Sequence, residues 1–366
     1  KSNARDNFNR IFGKVLSLVL EKLENHMLQC HDMVGLLLMI RIAHALRLVM
    51  QRRRIPILDS FFDRVSMLLW PRLKHVLEAN LTSLRNADAK RLAHAVLGPH
   101  FVSRRYGEMV ASIVTLQGAS GGTGGDVTTG STQRSSLSSG AISNGMDGDI
   151  LVSASLGIAG GGEAMLAQDV SLLRSAMTGL LERLAEQLVS VRERRVFLIN
   201  NLDCILRILQ DRKVGMCDEA NHLEDLLLEQ KALYTEEELK LSFGKLTSFV
   251  VQTERSVSDS GASSARSKAK GAKLELDSAV VEALVKEFAG TWRIAIQSIH
   301  DNVVGYFGDS RNGMEVLKQV LTQMLMYYTR FQDLVKQAWA KTPPFARDIV
   351  STSTILMEIK RYSRVS

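Results

Sequence analysis

Apolar residues recur three and four apart along most of this chain, the spacing that gathers side chains on one stripe of an α-helix. Phe8, Ile11, Phe12, Val15, Leu16, Val19 and Leu23 follow it, and so do Leu58, Phe61, Phe62, Val65, Leu68, Leu69, Leu73, Val76, Leu77, Leu81 and Leu84. Met314, Leu317, Leu321, Met324, Leu325, Tyr328, Phe331 and Val335 form a third such face. No stretch alternates with period two for long enough to be a strand. Composition agrees, with aromatics at 6%, only 5 Pro, and Leu, Ala, Arg, Glu and Met throughout, because unbranched side chains lose little freedom in a helix. The expected class is all-α.

The second helix is predicted from about His31 to Arg53, apolar almost all round in its first half, as in a helix buried between neighbours. Pro56 forces Ile55 away from helical angles and suits the first turn of the next helix, so a hairpin is expected there. Pro71 predicts a kink in that third helix. After a helix at about 99–116, Gln117–Gly162 is dominated by Gly, Ser and Thr without an aromatic residue. Such a segment buries too little apolar area to offset its ordering and is read as a flexible insert. Thr253–Lys273 has the same character. Helices are predicted at 168–190, 194–212, 218–232 and 235–252, the last opened by Thr235 and Glu238 in capping-box spacing. Three more follow at 277–300, 312–339 and 343–362, with Asn312 and Glu315 as another capping box and Thr342 before Pro343 as a start. The organisation expected is a bundle over 1–116, the insert 117–162, a middle helical module 163–252, a polar basic insert 253–273 and a C-terminal bundle 274–366. Stacked end to end, these modules predict an elongated series of antiparallel helical bundles.

The chain starts on Lys1 with a helix under way by Phe8, so it reads as a fragment of a longer protein. Its net charge of +7 is modest for 366 residues with 39 acids interspersed, and is weak evidence for an acidic partner. Cys30, Cys204 and Cys217 are scattered without CxxC or Cys/His ligand spacing, which fits a reducing cytosol and neither a disulfide framework nor a zinc site. The longest apolar run, Met33 to Ile40, is interrupted by Arg41, His44 and Arg47, short of the roughly 20 residues that cross a bilayer, so no transmembrane helix is expected.

Motifs that carry catalytic chemistry are nearly absent from the sequence. Gly118-Ala119-Ser120-Gly121-Gly122 matches the GxSxG elbow formally, but that motif works as a strained turn between strand and helix and here lies in a Gly/Ser tract. No phosphate loop or HExxH occurs, and His26 and His31, five apart, face different ways. Glu236, Glu237 and Glu238 at a predicted helix start are explained by the helix macrodipole. No cofactor or metal is expected. Arg52, Arg53 and Arg54, three guanidinium groups at a helix end beside a tight turn, could grip phosphate or carboxylate. They equally complement the helix C-terminus and could form salt bridges within the bundle. Arg266, Lys268, Lys270 and Lys273 make a cationic cluster that could touch anionic lipid at about 1 kcal/mol per charge, or serve as a solvated linker. Trp70, Trp292 and Trp339 fall within or beside apolar stripes, so core packing is expected of them and nucleic-acid binding is not.

Ile40 to Ala87, IRIAHALRLVMQRRRIPILDSFFDRVSMLLWPRLKHVLEANLTSLRNA, resembles the C-terminal region of the vacuolar protein sorting-associated protein 52 family. Its strongest elements are Arg52–Pro56, Asp59–Ser60, Leu69–Arg72 and Leu81–Ala87. Arg104-Arg105-Tyr106, Phe197-Leu198-Ile199-Asn200-Asn201, Gly313-Met314-Glu315, Tyr327-Tyr328-Thr329-Arg330 and Glu358–Arg364 resemble the family in the same order. The resemblance implies a non-catalytic subunit shared by the Golgi-associated retrograde protein complex and its endosomal counterpart, tethers built from helical rods. It implies as partners the other subunits, Rab-type GTPases and SNARE proteins, at the cytosolic face of the trans-Golgi network and endosomes. A membrane-binding scaffold using the basic clusters is the alternative.

Overall fold

The described residues divide into two compact units, and some helices contribute to both. The structure is a computed structural model that describes residues 2–92, 97–118, 162–262, 276–307, 311–339 and 343–362. The described residues contain helices and turns and no strand. The α-helices are α1 (Ser2–Gln29), α2 (Met33–Arg52), α3 (Asp59–Asn86), α4 (Ala89–Leu92), α5 (Phe101–Gly118), α6 (Gly162–Ala185), α7 (Val191–Asp211), α8 (Asp218–Ala262), α9 (Ser278–Phe307), α10 (Arg311–Ala338) and α11 (Thr352–Tyr362). One unit comprises Lys1–Ala93, His100–Leu184 and Cys204–Leu223; the other comprises His94–Pro99, Ala185–Asp203 and Glu224–Ser366.

In the first unit α2 lies against α3 and α5, and α1 lies on α3. Leu36, Leu37 and Ile40 of α2 meet a core that includes Leu69, Leu73, Val76 and Leu77 of α3. Asp32 caps α2, its Oδ1 accepting from the Gly35 amide at 3.0 Å, an interaction worth about 1 kcal/mol. Arg72 Nε donates to the Cys30 carbonyl at 2.9 Å and so satisfies an acceptor just past the end of α1. α2 is long and apolar enough to cross a membrane, which the sequence reading, counting Arg41 as an interruption, did not expect. Arg41 is buried and donates to the Gln117 carbonyl at 3.4 Å; one face of α2 is covered, while Leu38, Ile42 and Leu46 on it are exposed. α3 runs through Pro71 as one helix; Pro71 is exposed there, so the carbonyl that loses its amide partner has access to water.

The second unit centres on aromatic rings. Phe288 of α9 stacks on Tyr328 of α10 at 4.3 Å between centroids, and Phe243 of α8 lies 5.7 Å from Phe288. Val281, Val285, Phe288, Trp292, Ile296, Ile299, Val303 and Phe307 supply one buried row of α9 at helical spacing.

Two helix starts differ from expectation. Thr235 does not begin a helix; it is buried inside α8, where its hydroxyl donates to the Lys231 carbonyl at 2.8 Å and so has no need of a cap role. The break in α8 comes at Phe243 (φ −136°, ψ 30°) within Ser242-Phe243-Gly244, the small-residue setting in which helices kink. The last helix begins at Thr352 rather than 343, because Tyr328 Oη and Gln332 Nε2 donate to the Val350 carbonyl at 2.8 and 3.1 Å. Ser351 then caps it, its Oγ accepting from the Thr354 amide at 3.2 Å. Glu315, predicted to fold back in a capping box, reaches Lys231 and Arg311 instead, each at 3.2 Å.

Candidate functional site

α2 ends in a turn whose bonding dictates what it presents. The Arg54 amide donates to the Gln51 carbonyl and the Ile55 amide to the Met50 carbonyl, both at 2.9 Å, with Arg54 at φ 56°. That paired pattern closes a helix through a left-handed residue, a place usually taken by Gly, and costs an L-residue roughly 1–2 kcal/mol. The turn leaves Arg52, Arg53 and Arg54 exposed. The two nearest acids on α3 are engaged by a different cation: Arg47 Nη1 lies 2.8 Å from Asp63, and its Nε 3.9 Å from Asp59. Among the described residues no ion pair holds Arg52, Arg53 or Arg54. Three permanently charged, donor-rich groups thus stand at the carbonyl end of a helix, able to bind carboxylate or phosphate from outside. Arg266, Lys268, Lys270, Lys273 and Ser120 lie outside the described residues.

A second cationic edge escaped the sequence reading. α7 ends in the same kind of turn, with Lys213 at φ 60° and the Val214 amide donating to the Leu209 carbonyl at 2.9 Å. Arg212 of that turn reaches Glu108 of α5 at 2.6 Å, and Arg104 stands one turn before Glu108. Gly107 allows this approach, since a Cβ there would lie 3.0 Å from Ile208 Cδ1. Gly215, just after Lys213, was the only local sign of a helix end; the pairing with Glu108 spans the Gly/Ser insert and left no local trace.

In the second unit, the kink in α8 opens a groove toward α9, with Leu241, Ser242 and Thr291 along it and Leu241 and Ile294 exposed at its edge. Lys245 bridges to Glu287 at 2.8 Å at one end. At the other, the Glu238 carboxylate accepts from Asn302 Nδ2 at 2.9 Å and lies 3.0 Å from Arg192 Nη2.

The buried titratable groups serve the fold. Burial drives the Tyr106 hydroxyl far above its ordinary range, and also raises Glu219, which Arg174 at 2.7 Å pulls back part of the way. Burial pushes Tyr328 up to about 12 while its hydroxyl serves Val350. Among the described residues no group of three or more His, Cys, Asp or Glu is placed to hold a metal ion.

Comparison with known proteins finds two family profiles on this chain. The profile of "Vps52, C-terminal" matches residues 1–128, which include the Arg52–Arg54 turn, and that of "Exocyst complex component Sec3, C-terminal" matches residues 171–341. Vacuolar protein sorting-associated protein 52 A of Arabidopsis thaliana is 33% identical over 359 residues, 98% of this chain and 43% of the relative. This chain belongs to the Vps52 family. The Vps52 homologs of Mus musculus and Homo sapiens are 26% and 25% identical over 359 residues, again 98% of this chain and 43% of each relative. The chain therefore spans less than half the length of these Vps52 relatives.

Proposed function

We infer that this chain is the C-terminal part of a non-catalytic subunit of a multisubunit vesicle-tethering complex. It works in endosome-to-trans-Golgi retrograde transport by contact with the other subunits, with Rab-type GTPases and with SNARE proteins, at the cytosolic face of the trans-Golgi network and endosomes. One observation carries the reading: a single all-helical chain matches a Vps52 profile in its first third and an exocyst subunit profile in its second half. The surfaces suit the work, since grooves between helices accept helical segments of partners and tethering needs no cofactor. Depleting the protein in cells and re-expressing the full-length form tests it. Retrograde cargo should stay in peripheral endosomes on depletion and return to the Golgi on rescue; unchanged cargo traffic would refute the reading.

A second reading, peripheral contact with anionic membrane, is favoured by the three exposed arginines that no described acid pairs. Its test is sedimentation with phosphatidylserine vesicles. Substituting Arg52, Arg53 and Arg54 together by Ala should release the protein, as should raised salt, because the attraction is screened; vesicle binding that is absent or indifferent to salt removes this reading. The cluster Arg266, Lys268, Lys270 and Lys273 is proposed for the same role and is tested by the same substitution series.

A further inference from the structure

Two apolar rows run along α1, and among the described residues only one is covered. Gly13, Leu16, Leu20, Leu23 and Met27 are spaced three and four apart; Met27 is buried and the others are half-covered, on a helix that lies against α3. Shifted back by one residue, hence rotated by about 100°, is a second row: half-covered Phe8, then exposed Phe12, Val15 and Val19, flanked by Ile11 and Leu18. Ile11 is 65% exposed, Val15 56%, Leu18 53%, and Phe12 and Val19 47% each. A helix at the edge of a bundle needs one apolar stripe. A helix between two neighbours set roughly at right angles about its axis needs two, offset as these are.

Charge specifies what belongs on the open row. Continued at the same spacing, it begins with Arg5 and ends with Lys22 and His26, all exposed. The acids of α1, Asp6, Glu21 and Glu24, fall about 130–160° round the helix from the row. We propose that this row is the docking seam for a helix of another subunit of the complex, one with apolar residues at three- and four-residue spacing over about 16 Å and an acidic residue at each end. A second copy of this chain fits poorly, because antiparallel pairing sets Arg5 against Lys22 and parallel pairing sets each cation against itself. A lipid surface would meet the cations, but it calls for a broad apolar face, and here one edge of the stripe is already taken by α3. The proposal rests on the tether-subunit reading.

The test places a photo-crosslinking amino acid at Val15 of the full-length protein in cells, with Ser17, on the opposite side of α1, as control. Val15 should crosslink to an acid-flanked amphipathic helix of another tether subunit, and Ser17 should not. Val15→Glu and Lys22→Glu, both at exposed positions, should each lower recovery of that one subunit about tenfold, with the other subunits and the circular dichroism of the protein unchanged. An adduct with phospholipid, with the same polypeptide or with a second copy overturns the proposal, as does undiminished recovery in both variants. If the unsubstituted protein brings down no tether subunit at all, the functional reading itself fails, and that result is distinct from any of these.

Discussion

Arg192→Met would strand a carboxylate inside the second unit. Glu238 is 1% exposed, and its two neighbours in the joint between α7, α8 and α9 are Asn302 Nδ2 at 2.9 Å and Arg192 Nη2 at 3.0 Å. The Arg192 side chain is 19% exposed and lies over the Tyr306 ring. Removing one partner of a buried pair costs about 3–5 kcal/mol, because the remaining charge stays desolvated. Arg192 keeps some contact with water and Asn302 still donates, so the expected loss is near the lower end, about 3 kcal/mol. Replacing both residues, as Arg192→Met with Glu238→Leu, removes the stranded charge and should bring stability back to within about 1 kcal/mol of the parent. Urea unfolding followed by fluorescence reads this out. A Trp70→Phe background leaves Trp292 and Trp339, both in the second unit, as reporters. A single-variant loss below about 1 kcal/mol, or a double variant as unstable as the single, would show that the pair is not the buried joint inferred here.

Arg54→Gly removes a side chain from a left-handed position and should stabilise the first unit by about 0.5–1 kcal/mol, the strain relieved exceeding the added chain entropy; a loss in the urea midpoint would refute the assigned turn. Gly107→Val puts bulk where a Cβ already meets Ile208 at 3.0 Å and should cost about 1–3 kcal/mol in urea unfolding read from Trp70 of the first unit, with Trp292 and Trp339 replaced by Phe, whereas no change would mean that α5 and α7 are not in close contact. Glu254 is held below its ordinary 4.5 by the Arg330 guanidinium bonded to it. A carboxyl lowered in the fold contributes stability that is present above 4.5 and lost as pH falls through the folded value. The urea midpoint of the second unit should therefore drop below pH 4.5 and drop less in Arg330→Gln; identical pH profiles would contradict the pairing.

Helical spacing made the elements readable, since each stripe is a local property of one segment. What sits on a stripe is not local. The sequence reads Phe8 to Leu23 as one apolar face; only the position of α3 divides it into a covered row ending at Met27 and an open row from Arg5 to Lys22. Thr235 and Glu238 carry capping-box spacing, yet the same two residues also suit a buried position in which a hydroxyl bonds back to Lys231 and a carboxylate meets Arg192, and the choice depends on neighbours 46 and 64 residues away. The Arg52–Arg54 turn was legible from the helix before it and Pro56 after it. Its left-handed residue was not, because Arg rather than Gly occupies the position. Lys213 and its neighbour Arg212 went unread for the same reason, and because Glu108 lies 104 residues away in sequence.

Affinity purification of the full-length protein from cells, with quantitative mass spectrometry of what accompanies it, decides whether it is a subunit of a tethering complex. The other subunits of one tethering complex should be recovered in fixed, near-equal ratio and survive a salt wash that removes loosely bound cationic contacts. Recovery of the protein alone, or with no trafficking component at all, would contradict it.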